Sequence, residues 1–197
     1  MTSPVSICNR ALAIVGANLI SSLEDNTVEA RTCNSLYSEI YEEVLTSKPW
    51  TFATKRMEIE RVSNDALFGD MARFQIPNTS KHVHWAVDDP SIDPRRDPNN
   101  LVWYAENGHV VADTGVTRLF IWSTIATPES NVSSLFRSAV VYRLANDLAY
   151  ALSASKPKAD RFMEKYEGML ARAYERDSQM NKSAKMRHSS KLTGVRR

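Results

Sequence analysis

Two segments near the amino terminus carry apolar residues at helical spacing. Ser3 and Pro4 suit the N-cap and first turn of a helix, and Gly16 suits the left-handed residue beyond its end, which predicts a helix over residues 4–15. The second segment opens at Asn26, whose side chain is expected to cap a helix of about five turns. Its apolar positions recur at alternating spacings of three and four and predict one core-facing stripe: Ala30, Cys33, Tyr37, Ile40 and Val44.

The stretch "LTSKPWTFATKR" marks the end of this second helix. Pro49 disfavours helical geometry in the residue before it, so the helix is expected to stop near Ser47 or Lys48. Trp50 and Phe52 then lie on a non-helical corner. We expect Pro49, Trp50 and Phe52 to form a structural anchor that fixes the junction with the next part of the chain.

From Thr51 the apolar pattern changes to short β-type segments, "ARFQIP", "KHVHWAV" and "TRLFIWSTI". The stretch "LVWYAENGHVVAD" places Asn107-Gly108 between two such segments, which is the strongest short-range signal for a hairpin. Together they predict a β-rich lobe over residues 51–129. Its stretch "DDPSIDPRRDPNN", residues 88–100, has a proline at every fourth position and predicts an exposed, semi-rigid loop.

Helical patterns return after residue 130. Residues 133–153 are apolar nearly all round, which is typical either of a central helix or of one packed against another subunit. Their main polar exceptions are Arg137, Arg143, Asn146 and Asp147. Residues 157–179 predict an amphipathic last helix, and residues 181–197 have no periodicity, so we expect this terminal arm to be disordered on its own.

These elements predict an α+β fold that is mainly α. Residues 1–50 and 130–180 are expected to form an antiparallel bundle of four helices. The small β-rich lobe, residues 51–129, is inserted between the second and third helices, and the arm extends from the last one.

Acidic and basic residues are unevenly distributed along the chain. The net charge is only +2, yet residues 1–177 hold 19 bases and 23 acids. The arm after Asp177 has no acid and six bases, which makes it a candidate binding segment.

The sequence shows no sign of a membrane segment. No apolar run approaches the ~20 residues of a membrane span, and the amino terminus does not resemble a signal peptide.

Few residues suggest catalysis or cofactor binding. The six glycines are too scattered for a phosphate-binding loop, no G-x-S-x-G motif is present, and no cofactor is predicted. His82 and His84, with Asp88 or Asp93, could bind a metal, although solvent-facing or paired polar side chains are the more ordinary interpretation. The aspartates of residues 88–97 do not follow a calcium-loop spacing. Cys8 and Cys33 lie among apolar neighbours and are expected to be buried.

The first fifty residues carry a succession of motifs that resembles one family. "N-x-A-L-x-x-V-G" spans residues 9–16, "I-S-S-L" spans 20–23, "E-A-R-T-C" spans 29–33, and "L-x-x-x-P-W-x-F-A" spans 45–53. In this order the motifs resemble the start of tail tubular protein A, the family of head-to-tail adaptors of short-tailed, T7-like bacteriophages. Later segments agree with that family in order only, and the polar, proline-interrupted residues 82–100 do not align with it.

The resemblance implies a non-enzymatic virion protein of the phage tail or neck, made in the host cytoplasm. It implies a ring, expected to be twelvefold, between the portal protein and a nozzle similar to tail tubular protein B. Tail fibres are possible further partners, and DNA would pass through the lumen during packaging and ejection without specific binding. No membrane partner is implied. The portal-binding residues would lie in the arm: Lys182, Lys185, Arg187, Lys191, Leu192, Val195, Arg196 and Arg197.

The chain's own features fit this hypothesis but leave others open. An all-round apolar third helix offers surface for a neighbouring subunit, and an acidic body would let DNA slide past. The alternatives are a connector of long-tailed phages, an envelope polysaccharide hydrolase, and a nucleic-acid-binding protein that uses the basic arm. The last two need, respectively, paired carboxylates in a cleft and strongly salt-dependent DNA binding.

Overall fold

The computed structural model describes residues 3–62, 71–95, 101–153 and 155–180. Its helices are α1 (Pro4–Val15), α2 (Val28–Thr46), α3 (Ser134–Ser153) and α4 (Lys156–Met180). Its strands are β1 (Thr54–Ile59), β2 (Arg61–Val62), β3 (Met71–Gln75), β4 (Ser80–Val87), β5 (Trp103–Glu106), β6 (His109–Asp113) and β7 (Leu119–Ile125). A single 3-10 turn at Glu129–Asn131 precedes α3.

Both ends of the first helix lie where the sequence predicts them. Ser3 caps α1 with a reciprocal hydrogen bond to Ser6, and Gly16 ends it in the left-handed conformation at a φ of 88°. The N-cap of α2 is Thr27 rather than the predicted Asn26, because the Thr27 hydroxyl accepts the backbone N–H of Ala30. The helix therefore begins at Val28 and ends at Thr46, close to the predicted stop.

Helix α3 is the centre of the helical layer. It packs against α1, α2 and α4, whereas α1 and α2 touch each other much less. This arrangement explains why α3 is apolar on nearly every side. Its buried residues belong to one core together with residues of the other three helices. Of the two interpretations of this helix, the central helix is therefore the one that the structure shows, and its apolar surface is largely covered within the chain itself.

The strands form two antiparallel sheets. The first has the order β1-β7-β4 and the second β2-β3-β6-β5. Since β1 and β2 are separated only by Glu60, one nearly continuous stretch of chain passes from the first sheet to the second. Between the sheets lies a separate core that includes Phe74, Val110, Leu119 and Ile121. The β5-β6 turn occurs at Asn107 and Gly108, which have φ values of 48° and 75°, as a type I′ hairpin requires.

The predicted fold class is wrong in its architecture. Of the residues that the structure describes, 48% are helical and 23% lie in strands, and their seven strands form two sheets, which makes this a mixed α+β fold rather than a helical bundle with a small lobe. The physical reason is that residues 54–125 build a hydrophobic core of their own between two sheets. The helices, meanwhile, pack around α3 instead of forming the predicted antiparallel four-helix bundle.

Candidate functional site

The corner at residues 48–54 joins the helical layer to the first sheet. Trp50 is 0% exposed, and its indole Nε1–H donates to the carbonyl oxygen of Val44, 3.1 Å away, in the last turn of α2. The backbone N–H of Thr54 donates to the Trp50 carbonyl oxygen at 2.8 Å. The Ile125 N–H donates to the Ala53 carbonyl oxygen at 2.9 Å, which attaches β7 to the same corner. The indole therefore ties the end of α2 to the start of the sheet.

Aromatic rings surround the indole. Phe52 is half-buried and stacks on Trp50 with ring centroids 5.7 Å apart and planes 24° apart. Phe136 of α3 contacts both rings edge-on, at 5.1 Å from Trp50 and 5.3 Å from Phe52. Tyr174 of α4 meets Trp50 edge-on at 5.9 Å. The corner thus contacts α3 and α4 as well as α2, and the structure places the expected anchor residues at this junction.

Asp177 fastens the end of α4 to the corner. Its side chain is buried at 8% exposure, and its Oδ2 accepts both the backbone N–H of Thr51 at 2.7 Å and the Thr51 hydroxyl at 2.9 Å. One helical turn earlier, Tyr174 receives the ammonium of Lys48 over its ring at 5.5 Å. Two contacts from the same helix end therefore hold α4 in a fixed position beside Trp50.

The predicted portal-binding residues follow directly in sequence. The arm, residues 181–197, begins four positions after Asp177. The eight predicted portal-binding residues all lie outside the described residues: Lys182, Lys185, Arg187, Lys191, Leu192, Val195, Arg196 and Arg197. What the structure fixes is the position of α4, the helix that leads into this arm.

A second cluster lies on the outer face of the first sheet. Trp122 of β7 pairs in register with Arg56 of β1 on one side and with Trp85 of β4 on the other. The Arg56 guanidinium lies 3.9 Å from the centroid of the Trp122 ring, and the Arg95 guanidinium lies 4.6 Å from it. Asp93 receives two hydrogen bonds from Arg95, at 3.0 and 2.9 Å, and this pairing lowers the pKa of the Asp93 carboxyl. Trp122 is buried beneath these cations, with 3% of its surface exposed.

The proline-rich loop is consequently less exposed than we predicted. Residues 88–91 are exposed, but Ile92, Asp93 and Pro94 are half-buried, and Arg95 covers Trp122. The stacking of Arg95 on Trp122 holds the loop against the sheet, and the bidentate ion pair between Arg95 and Asp93 fixes the loop locally. The aspartate and proline content of the loop does not indicate either contact. Residues 96–100 of the loop lie outside the described residues.

The two histidines of β4 lie beside this cluster. Their rings are 4.8 Å apart, and a hydrogen bond of 2.8 Å joins His84 Nε2 to the hydroxyl of Thr124. Burial, and then the nearby His82, lower the pKa of His84 to about 4. His82 is exposed. In the part of the chain that the structure describes, no group of three acidic, histidine or cysteine side chains is placed to hold a metal ion.

Two free cysteines and an open cleft are further possible sites. Cys8 and Cys33 are both free and fully buried, and their hydrogen bond, with burial, raises the pKa of the Cys8 thiol.

An open cleft of about 600 Å³ lies at the far end of the sheets, lined by Asp88, Leu101, Val102, Asp113, Gly115, Val116, Thr117 and Arg118. No polar group in the cleft is buried, which gives it little capacity to orient a small ligand.

Sequence reasoning did not identify Asp177 or the cluster around Trp122. The helical spacing could have indicated Asp177, because it lies on the same buried side of α4 as Phe162, Tyr166 and Ala173. A carboxylate at a buried position requires a hydrogen-bonding or charged partner. The partners of Trp122 come from three separate segments, so only strand register could bring them together.

The motif residues at the amino terminus serve the local fold. The Asn9 side chain donates to the Ile20 carbonyl oxygen at 2.8 Å and accepts the Ile20 N–H at 2.9 Å, which folds the connection after α1 back onto that helix. Ala11 and Leu12 are fully buried in the helical core. These positions are turn and core positions that specify how α1 and α2 lie against α3.

No known protein-family model matches the chain, and no curated protein matches its sequence. Of the helices that the structure describes, none is both long enough and apolar enough to span a bilayer.

Proposed function

We propose that this chain is a structural, non-enzymatic virion protein of a short-tailed bacteriophage. It forms an adaptor ring, expected to be twelvefold, that joins the portal to the tail nozzle and surrounds the channel for DNA. Residues 181–197 bind the portal, and the corner at Trp50 holds the helix that leads to them.

The observation that carries the proposal is the succession of motifs over residues 9–53, which resembles tail tubular protein A. In the structure these motifs occupy the turn held by Asn9, the left-handed Gly16 and the aromatic corner at Trp50. Turn and core positions of this kind set the geometry of the first two helices. The resemblance therefore supports a common fold for this part of the chain, and the function is inferred from it.

The geometry of α4 supports the role of the arm. An arm that must reach a partner ring works best from a fixed base, because a fixed starting point raises its effective concentration near its target. Asp177 and Tyr174 hold the last turns of α4 against the corner. The arm that follows has six bases and no acid, which suits a partner surface of negative charge.

The test is to delete residues 181–197 and mix the truncated protein with purified portal rings. The full chain is expected to form a stable complex in which about twelve copies of the 22.2 kDa chain add about 266 kDa, measured by light scattering. The truncated chain is expected to keep its circular dichroism spectrum and melting temperature but to lose the complex.

A matched control separates the arm's charge from its length. A full-length variant with the six arm bases replaced by glutamine keeps the arm but removes its charge. If the full chain ignores portal rings altogether, the adaptor proposal is wrong. If the truncated chain still binds them, the adaptor role stands and the arm is not the portal-binding segment.

A further inference from the structure

The open cleft at the far end of the sheets combines apolar side chains with exposed carboxylates. Leu101 packs against the core between the sheets, and Val116 is 8% exposed. Val102 is 75% exposed, more than any other large apolar side chain in the described ranges. Asp88 and Asp113 line the same cleft, and both are exposed. The cleft therefore leaves apolar area and negative charge side by side in water.

Neither of these carboxylates is paired with a base in the described ranges. The Oδ1 of Asp113 accepts the backbone N–H of Gly115 at 2.8 Å, which closes a turn but does not neutralise the charge. Asp88 is free of any ion pair there. Both charges are thus open to a ligand that brings its own cations.

Two bases near the cleft already have acceptors. Arg118 lines the cleft, and its guanidinium donates to both carboxylate oxygens of Glu58, at 2.8 and 3.1 Å. Arg61 lies outside the lining and donates to the carbonyl oxygen of Thr114 at 3.2 Å. Among the charged side chains that meet at this end of the sheets, the acids therefore outnumber the bases.

The arm, residues 181–197, has the complementary composition. It has six bases and no acid, and Leu192 and Val195 lie close in sequence to two of the bases, Arg196 and Arg197. Apolar side chains beside a pair of bases suit a cleft of apolar walls and carboxylates, since burial and charge attraction then act on the same segment.

The distance from the base of the arm to the cleft follows from the strands. Asp177 holds the end of α4 at the corner, where the N–H of Ile125 donates to the carbonyl oxygen of Ala53. From Ile125, β7 runs back over six residue steps to Leu119, which is about 20 Å at about 3.4 Å per residue. Arg118 of the cleft directly precedes Leu119.

The length of the arm matches this distance. A flexible chain of about 15 residues has an end-to-end distance of about 21 Å, taken as about 5.5 Å times the square root of its length. The effective concentration of a tethered segment is highest when its average length equals the span that it must cross. Residues 192–197 are therefore presented to the cleft of their own chain at close to the highest effective concentration that a tether gives.

We propose that residues 192–197 dock into this cleft of the same chain. Leu192 and Val195 cover its apolar walls, and Arg196 and Arg197 lie beside its two carboxylates. These four side chains are among the proposed portal-binding residues, so docking in the cleft and binding to the portal exclude each other. The inference rests on the proposed function only in this last consequence, because the docking itself needs no portal.

The test is paramagnetic relaxation enhancement in the full chain, with a nitroxide attached at Ser190→Cys and the backbone amides followed by NMR. Cys8 and Cys33 are fully buried and stay unlabelled in the folded protein. Docking predicts strong broadening of the cleft amides, such as those of Val102 and Gly115. If broadening is confined to the end of α4, the arm does not dock in the cleft and the inference is wrong.

Variants of the cleft separate specific docking from general attraction. Asp88→Asn with Asp113→Asn removes both charges, while the amide oxygen at position 113 still accepts the Gly115 N–H. This double variant should weaken docking about fivefold, since exposed ion pairs contribute modestly. Glu39→Gln with Glu167→Gln makes the same change in net charge at exposed positions of α2 and α4, and should leave the broadening unchanged.

Variants of the arm test the apolar part of the contact. Leu192→Ser with Val195→Ser should release the arm even though every charge is kept, because the apolar area is no longer covered. Higher salt should weaken the docking of the unsubstituted arm, because exposed charges are screened. Broadening of the cleft that is equal in all these variants would overturn the inference.

A mixing experiment shows whether the arm docks on its own chain. Chain labelled with ¹⁵N and lacking the nitroxide is mixed with an equal amount of unlabelled chain that carries it. Cleft amides that stay sharp in this mixture support docking within one chain. Cleft amides that broaden in the mixture as they do in the singly labelled sample would place the arm on another copy and refute the proposal.

Portal rings separate this inference from the proposed function. If both hold, the chain with Asp88→Asn and Asp113→Asn should bind portal up to about fivefold more tightly than wild type, because a larger fraction of its arms is free. Docking in a chain that never binds portal would support this inference and remove the proposed function. Portal binding by a chain whose arm never reaches the cleft would do the reverse.

Discussion

Replacement of Trp50 by alanine tests whether the corner is the structural anchor of the fold. The side chain is 0% exposed and contacts the rings of Phe52, Phe136 and Tyr174. A buried tryptophan removes about 200 Å² from water, which at about 25 cal/mol per Å² corresponds to about 5 kcal/mol, and alanine retains part of this. Loss of the indole is therefore expected to lower the free energy of unfolding by about 3 to 5 kcal/mol.

The assay is urea unfolding followed by circular dichroism, with the change taken from the transition midpoint at constant slope. For a chain of this size the same loss lowers the melting temperature by about 6 to 20 °C. Val102→Ala is the control, because Val102 is 75% exposed and its truncation should change stability by no more than about 0.5 kcal/mol. If Trp50→Ala costs no more than the control, the corner does not hold the fold and our reasoning about it is wrong.

Two further predictions concern polar contacts. Asp177→Ala removes the acceptor of two hydrogen bonds from Thr51 and should lower the free energy of unfolding by about 1 to 3 kcal/mol, with faster amide exchange in the last turns of α4. Glu175→Ala, at an exposed position nearby, is the control and should be nearly neutral. Equal losses in the two variants would contradict the role of the buried carboxylate. Because the pKa of His84 is lower in the folded chain, His84 takes up a proton in the unfolded chain first as the pH falls. The fold is therefore not destabilised by this residue above about pH 6.5, and it loses stability progressively between pH 6.5 and pH 4. His84→Gln, which can still bond to Thr124, should flatten the decline of melting temperature in that window, and an unchanged slope would refute the assignment.

The local elements were largely accessible from sequence. Helix ends depend on a few neighbouring residues, so Ser3, Pro4 and Gly16 were enough to bound α1 at Pro4–Val15. The turn at Asn107 and Gly108 was equally local, because both residues tolerate positive φ. Where two adjacent residues could both cap, as at Asn26 and Thr27, the sequence did not determine which one would do so.

The architecture was not accessible in the same way. The apolar pattern of α3 is compatible with burial against other helices or against another subunit, and the pattern itself does not identify the partner. The two-sheet architecture of the β part was missed because short strands give weak signals one at a time. Their stability comes from pairing between segments distant in sequence, such as β1 with β7.

The candidate surfaces show the same division. The basic arm and the residues of the aromatic corner at Trp50 are consecutive or closely spaced in the chain, so the sequence by itself determines them. The bond between Asp177 and Thr51 and the stacking of Arg56 and Arg95 on Trp122 join residues far apart along the chain. Only the tertiary structure decided these contacts, because strand register and helix packing set which distant side chains meet, and neither is encoded in any one segment.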